Sequence, residues 1–186
     1  IALMDHDDLL AEDALLEIAE HVAADPALRL IYSDEDKVDD EGHRSAPYFK
    51  PDWNLDLFRS QNMFSHLGVL HTALVREVGG FRKGLEGSQD WDLVLRCIER
   101  VQPAQIVHIP RVLYHWRIHA QSTAKSMNAK PYAVVAGERA LNEHLARTGV
   151  RGRAEHVGIG YRVHYALPDV PPKVSIVIPT RNAQAL

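Results

Sequence analysis

Three short stretches of this chain hold residues whose types and spacing suit chemistry. The first is Asp5-His6-Asp7-Asp8, which abruptly stops the apolar run Ile1-Ala2-Leu3-Met4. Carboxylates gathered directly after a buried strand present oxygen ligands to Mg²⁺ or Mn²⁺, and such a metal commonly bridges them to substrate phosphates. The alternative is a solvated turn whose last residue, Asp8, caps the helix that follows. The second stretch is Gly87-Ser88-Gln89-Asp90-Trp91-Asp92-Leu93. A loop here delivers Asp90 to the first turn of a helix, where the dipole favours an ionised carboxylate, and such a carboxylate can take a proton from an attacking hydroxyl. Trp91 offers a flat apolar face suited to stacking on a sugar ring; the alternative is a capping aspartate beside a core tryptophan. The third is Tyr114-His115-Trp116-Arg117-Ile118-His119, followed by Gln121-Ser122-Thr123. A histidine in the loop after a strand can ligate a metal, and an adjacent arginine can pair with phosphate.

The elements that position these residues follow from periodicity. Leu15, Ile18, Ala19 and Val22 recur at helical spacing until Asp25-Pro26 ends the helix. Leu28–Tyr32 reads as a strand ending in a second acidic run, Ser33-Asp34-Glu35-Asp36. Strand, acidic loop, helix, strand is an α/β rhythm, and ligands in open α/β sheets bind beyond the carboxyl ends of strands. The stretch from Asp39 to Ser60 reads as a long loop with one short helix near Asn54–Arg59. A strand at Leu67–His71 and a short helix closed by Gly79-Gly80 follow. Asp90–Arg100 is a predicted helix, Gln105–Ile109 and Val112–Trp116 are predicted strands separated by Pro110, and Pro131–Thr148 is a long amphipathic helix with Gly149 as its C-terminal cap. Tyr161–Leu167 alternates as a half-buried strand should.

Composition bounds the possibilities. The chain has 186 residues, with 21 basic against 25 acidic side chains, a net charge of −4. That length suits one ordinary domain, and the slightly acidic balance lacks the footprint of a non-specific nucleic-acid binder. No apolar run approaches the ~20 residues of a membrane span. A single cysteine, Cys97, leaves no internal disulfide framework and suits a reducing compartment.

In their order and spacing these motifs resemble the family 2 glycosyltransferases of the GT-A fold, from Ile1 to about Ala124. Val78-Gly79-Gly80-Phe81 and Leu85–Leu93 are similar to that family's acceptor-side loop and acid-bearing helix start. Lys50-Pro51-Asp52-Trp53-Asn54 and Tyr32–Asp36 resemble the subgroup that builds bacterial surface polysaccharides. The resemblance implies an incomplete GT-A, Rossmann-like α/β fold, a mixed sheet flanked by helices. It further implies a metal-dependent inverting transfer of a sugar from a nucleotide-diphosphate donor to a hydroxyl of a growing glycan. Asp90 would be the base, Asp5 would contact the nucleotide, and Asp7 would hold Mn²⁺ or Mg²⁺ on the donor diphosphate. His119, with Arg117 or His115 nearby, would contact the metal or the diphosphate; Gln89, Trp91 and Asp92 would face the acceptor. Gln89 departs from the pattern, since many members carry a glutamate before the base.

Pro168–Pro172 reads as a stiff linker, and Val174–Asn182 resembles the opening strand of the same family's nucleotide-binding half. The expected organisation is a metal- and acceptor-side half (residues 1–125), a helix-and-strand extension (126–167), and a linker with the first strand of a second unit (168–186). Strand Val174–Ile178 would add to a sheet edge of a neighbouring copy, giving a strand-paired dimer. Nucleotide sugars and a reduced cysteine point to the cytoplasm, including the inner face of the membrane. Two other functions fit the sequence. One is a non-catalytic module holding glycan through Trp53, Trp91 and Trp116; the other is a metal-dependent hydrolase using Asp5, Asp7, His115 and His119.

Overall fold

A nine-residue strand, Leu30–Val38 (β3), organises the sheet. In the computed structural model, which describes residues 1–118 and 131–179, β3 is buried along nearly its whole length. It lies between Gly68–Leu70 (β5), antiparallel, and Ile106–Arg117 (β6), parallel. Ala2–Leu3 (β1) extends the sheet beyond β5, and Leu9–Leu10 (β2) beyond β6, giving the order β1-β5-β3-β6-β2. Arg44–Tyr48 (β4) pairs with the far end of β3. The architecture is therefore mixed α/β, a mixed sheet with helices, compatible with a Rossmann-like fold.

Alternation along β3 separates two cores. Leu30 and Tyr32 enter a cluster with Phe58, Phe64, Trp91 and Leu95, while Ile31 enters another with Ala14, Ile109, Leu113 and Tyr114. Helices Leu55–Ser60 (α2), Thr72–Glu77 (α3), Gln89–Ile98 (α4) and Pro131–Arg147 (α5) contribute to the first core. Asn54 caps α2 through a hydrogen bond from Leu57 N (2.9 Å). The hairpin Gly152–His156 (β7) and Tyr161–Tyr165 (β8) packs on α5 and α2, and Asn142 exchanges hydrogen bonds with the Ala154 backbone.

Several expectations need correction. The run Ser33–Asp36 is interior strand, not an acidic loop, because each carboxylate meets a cation or donor. Asp34 binds His108 (2.8 Å) and Lys50 N (2.8 Å), Glu35 binds Lys50 Nζ (2.9 Å), and Asp36 binds His115 (2.6 Å) and Arg44 (2.6 Å). Pro110 does not divide two strands; β6 runs through it, absorbed by a register shift where Ile109 and Val112 face Ser33 and Asp34. Helix Ala14–Ala24 (α1) forms as predicted, and Ile18 packs inward, but Leu15, Leu16 and Val22 are exposed. The residue preceding α1 is Asp13, so Asp8 is not its cap. Residues 166–179 carry no helix or strand, and Val174, Ile176, Val177 and Ile178 are exposed. Among the described residues no helix is long and apolar enough to cross a membrane.

Candidate functional site

The turn after β1 brings Asp5 to the mouth of a cavity of about 440 Å³, which Asp5 shares with Asn62, His66, Gln89 and Asp90. These residues come from the β1 turn, the segment between α2 and β5, and the start of α4. Gly87 makes the last approach. Its φ is +86°, and a Cβ there would lie 2.6 Å from that of Ala133, so only glycine allows the turn that presents Asp90.

Asp90 is half-buried, and Asn62 Nδ2 donates to its Oδ2 at 2.8 Å. Burial raises its pKa above the ordinary carboxylate range; hydrogen bonds from the Trp91 and Asp90 amides, the nearby His66 and Asn62 pull it down without cancelling that effect. The helix dipole thus does not dominate, and the carboxylate is a stronger base than the sequence suggests. Gln89 is exposed at the same cavity and accepts from Gly87 N (2.6 Å).

Asp5, Asp8 and His66 offer ligand atoms that lie within 4.8 Å of one another. Two carboxylates and an imidazole fit a divalent cation, and the imidazole suits Mn²⁺ better than Mg²⁺. Asp8 is held in place by its neighbours. Tyr114 Oη donates to its Oδ2, Arg117 N donates to its Oδ1 (2.7 Å), and the buried phenol beside that carboxylate is held protonated. His66 stacks on Tyr114 with ring centroids 4.8 Å apart, and its backbone is clamped by Lys50, whose Nζ donates to the carbonyls of Ser65 (2.5 Å) and His66 (2.6 Å). Burial lowers the Lys50 pKa, and the Glu35 carboxylate opposes that by favouring its charge.

Asp7, the expected metal ligand, is not in this trio; Asp8, one residue on, lies beside Asp5 because strand β2 pairs with β6 and draws Asp8 to Tyr114. His119 lies outside the described residues, as do Gln121, Ser122 and Thr123. His115, expected near the diphosphate, is 8% exposed within strand β6 and bound to Asp36. Arg117 donates to the carbonyls of Asp7 (2.6 Å) and Asp39 (3.4 Å), bracing the acidic turn.

On the acceptor side, Trp91 is 4% exposed, donates to Phe58 O (3.1 Å) and meets Phe58 and Tyr161 edge-on, so most of its ring is core, and its small remaining surface lines a cavity beside Asn62 and Trp116. Trp53 likewise packs on Phe58. Asp92 is fully buried between Arg82 (2.5 and 3.0 Å) and Arg96 (2.9 Å), and Arg96 continues to the carbonyls of Val78 and Gly80. Both of its carboxylate oxygens are thus taken by arginines. The sequence showed no reason to select Asn62 or His66; their one signal is a polar loop directly before a strand.

Fold and site together define a mixed α/β protein with an acidic, histidine-bearing cavity beyond a strand end. No family model matches the chain. It is 54% identical over 187 residues to a Sinorhizobium fredii protein described as uncharacterized protein y4gI. It is also 41% identical over 183 residues to the O-antigen biosynthesis protein RfbC of Myxococcus xanthus. Each comparison takes in 98% of this chain but only 20% and 14% of the relative, so the chain spans about a fifth and a seventh of their lengths.

Proposed function

We propose that this chain carries the metal- and acceptor-side half of a family 2, GT-A-type inverting glycosyltransferase of bacterial surface-polysaccharide synthesis. The observation that carries this is that Asp5 and His66, two of the clustered metal donors, line one cavity with the basic carboxylate Asp90. The 41% identity to the O-antigen biosynthesis protein RfbC supports the polysaccharide assignment.

In this reading Asp5, Asp8 and His66 would hold Mn²⁺ or Mg²⁺, and the bound ion would supply charge neutralisation for a diphosphate leaving group. Asp90 takes the proton of the acceptor hydroxyl, while Asn62 orients its carboxylate through Oδ2. A base facing the side opposite the leaving group gives inversion. The donor is a nucleotide-diphospho-sugar and the acceptor a glycan, placing the work in the cytoplasm at the inner face of the membrane. The exposed Val174–Ile178 segment is the proposed strand for pairing with a second copy.

The test is Asp90→Asn in the full-length protein, assayed with nucleotide sugars and Mn²⁺. Turnover is expected to fall by about 10²–10⁴ while nucleoside-diphosphate binding persists. Near-normal turnover overturns the assignment.

A further inference from the structure

A second cavity, of about 360 Å³, lies beside the first and shares Asn62 and Gly87 with it. One wall is the turn of the β7–β8 hairpin, with His156, Ile159 and Tyr161; the other holds Gln61 and Trp116. The walls are set firmly. A Cβ on Gly160 would lie 2.7 Å from Ser60 O, so the hairpin turn presses directly on the end of α2. Tyr161 Oη donates to Val134 O (3.0 Å), tying the same hairpin to α5. Ile159 is nevertheless 86% exposed. Trp116 reaches both cavities' surroundings: its ring lies 5.2 Å from that of His66, and it lines the second groove.

The junction carries an unsatisfied group. Asn62 gives its amide nitrogen to Asp90, and its Oδ1 is buried with no hydrogen-bond partner among the described residues. A buried acceptor left unpaired costs free energy that an incoming donor recovers. A hydroxyl arriving along the groove beside Asp90 is such a donor. The groove mixes aromatic rings with amide and imidazole groups, which suits a saccharide, whose C–H faces pack on rings while its hydroxyls hydrogen-bond.

We propose that the groove between the β7–β8 hairpin and Trp116 is the binding cleft for the acceptor saccharide, with Asn62 at its throat receiving the hydroxyl presented to Asp90. Trp116, half-buried, is then the main ring that meets the sugar, with the nearly buried Trp91 completing the lining behind it. This rests on the transferase reading, and two measurements separate their failures. The first uses the full-length protein and compares Ile159→Arg and Trp116→Ala with wild type for acceptor and donor kinetics. Each substitution raises the acceptor KM about tenfold, with the donor KM unchanged. Ile159→Arg sits on an exposed turn and keeps the test valid if Trp116→Ala fails to fold. An unchanged acceptor KM in Ile159→Arg, or an equal rise for the donor, overturns the cleft. The second measures binding of wild type and Ile159→Arg to an array of bacterial surface-polysaccharide fragments, which needs no turnover. Wild-type binding lost in Ile159→Arg supports the cleft even if no transfer is found, a result that would overturn only the transferase reading. Binding equal in both proteins, or none in wild type, overturns the cleft.

Discussion

Asn62 donates its side-chain amide to Asp90 across 2.8 Å, joining the loop before β5 to the first turn of α4. That bond, two backbone amides and nearby His66 lower the Asp90 pKa, and burial more than offsets them. A base must be deprotonated to act, so kcat/KM falls as pH drops through this raised pKa. The acid limb of the pH profile therefore lies above the ordinary carboxylate value of about 3.9. Asn62→Ala removes one of the lowering donors and moves the limb further up. A pH–rate series on both proteins checks this; a limb that stays put in the variant contradicts it.

His66 is the donor that distinguishes the proposed metal cluster from a simple pair of aspartates. Calorimetric titration with MnCl₂ is expected to show His66→Ala binding weaker by roughly 10–100-fold, the range seen even for loss of an outer-shell partner. Asp7→Ala, outside the trio, is expected to have the smaller effect.

Asp92 separates a structural role from an acceptor-binding one. It is fully buried between Arg82 and Arg96, and breaking a buried charge network from one side costs about 3–5 kcal/mol. Urea denaturation of Asp92→Asn should show a loss of that size, with acceptor KM per folded molecule unchanged. A raised acceptor KM at full stability would return Asp92 to the acceptor site.

Glu99 gives a pH dependence of stability. Burial raises its pKa, but hydrogen bonds from His144 (2.8 Å) and Arg147 (2.9 Å) outweigh this and hold it below the usual glutamate range. A carboxyl depressed in the folded state stabilises the fold above the unfolded pKa of about 4.3, and that stabilisation is lost as pH falls through the lower folded value. Glu99→Gln should therefore be less stable than wild type at pH 7 by about 1–3 kcal/mol. The gap should close towards pH 3, as read by denaturant unfolding at both pH values.

Local signals carried much of the architecture. Helix α5, the Asn54-capped α2 and the loop-to-helix delivery of Asp90 were readable because each depends on residues within a few positions. What stayed hidden depends on distant partners. Asp34 and Asp36 read as a loop because adjacent carboxylates are normally solvated; their histidines lie 74 and 79 residues away. Strand β4, Arg-Ser-Ala-Pro-Tyr, is mostly exposed and shows no alternation to betray it. The exposed Leu15 and Leu16 show that a helical period fixes the element but not what covers its faces. In the site, Asp8 was visible as one carboxylate of an acidic cluster or as a cap, and its placement beside Asp5 depends on Tyr114, 106 positions on.

The paired acids of β3 also act as an alignment key. Asp34, Glu35 and Asp36 each match a different partner from a different part of the chain: His108, Lys50, and His115 with Arg44. A strand slipped by one residue would turn its side chains to the opposite face. Here it would also strand three charges without their counterparts in the interior. The strand that looks least suited to a sheet centre is thereby the one with the fewest ways to be threaded wrongly.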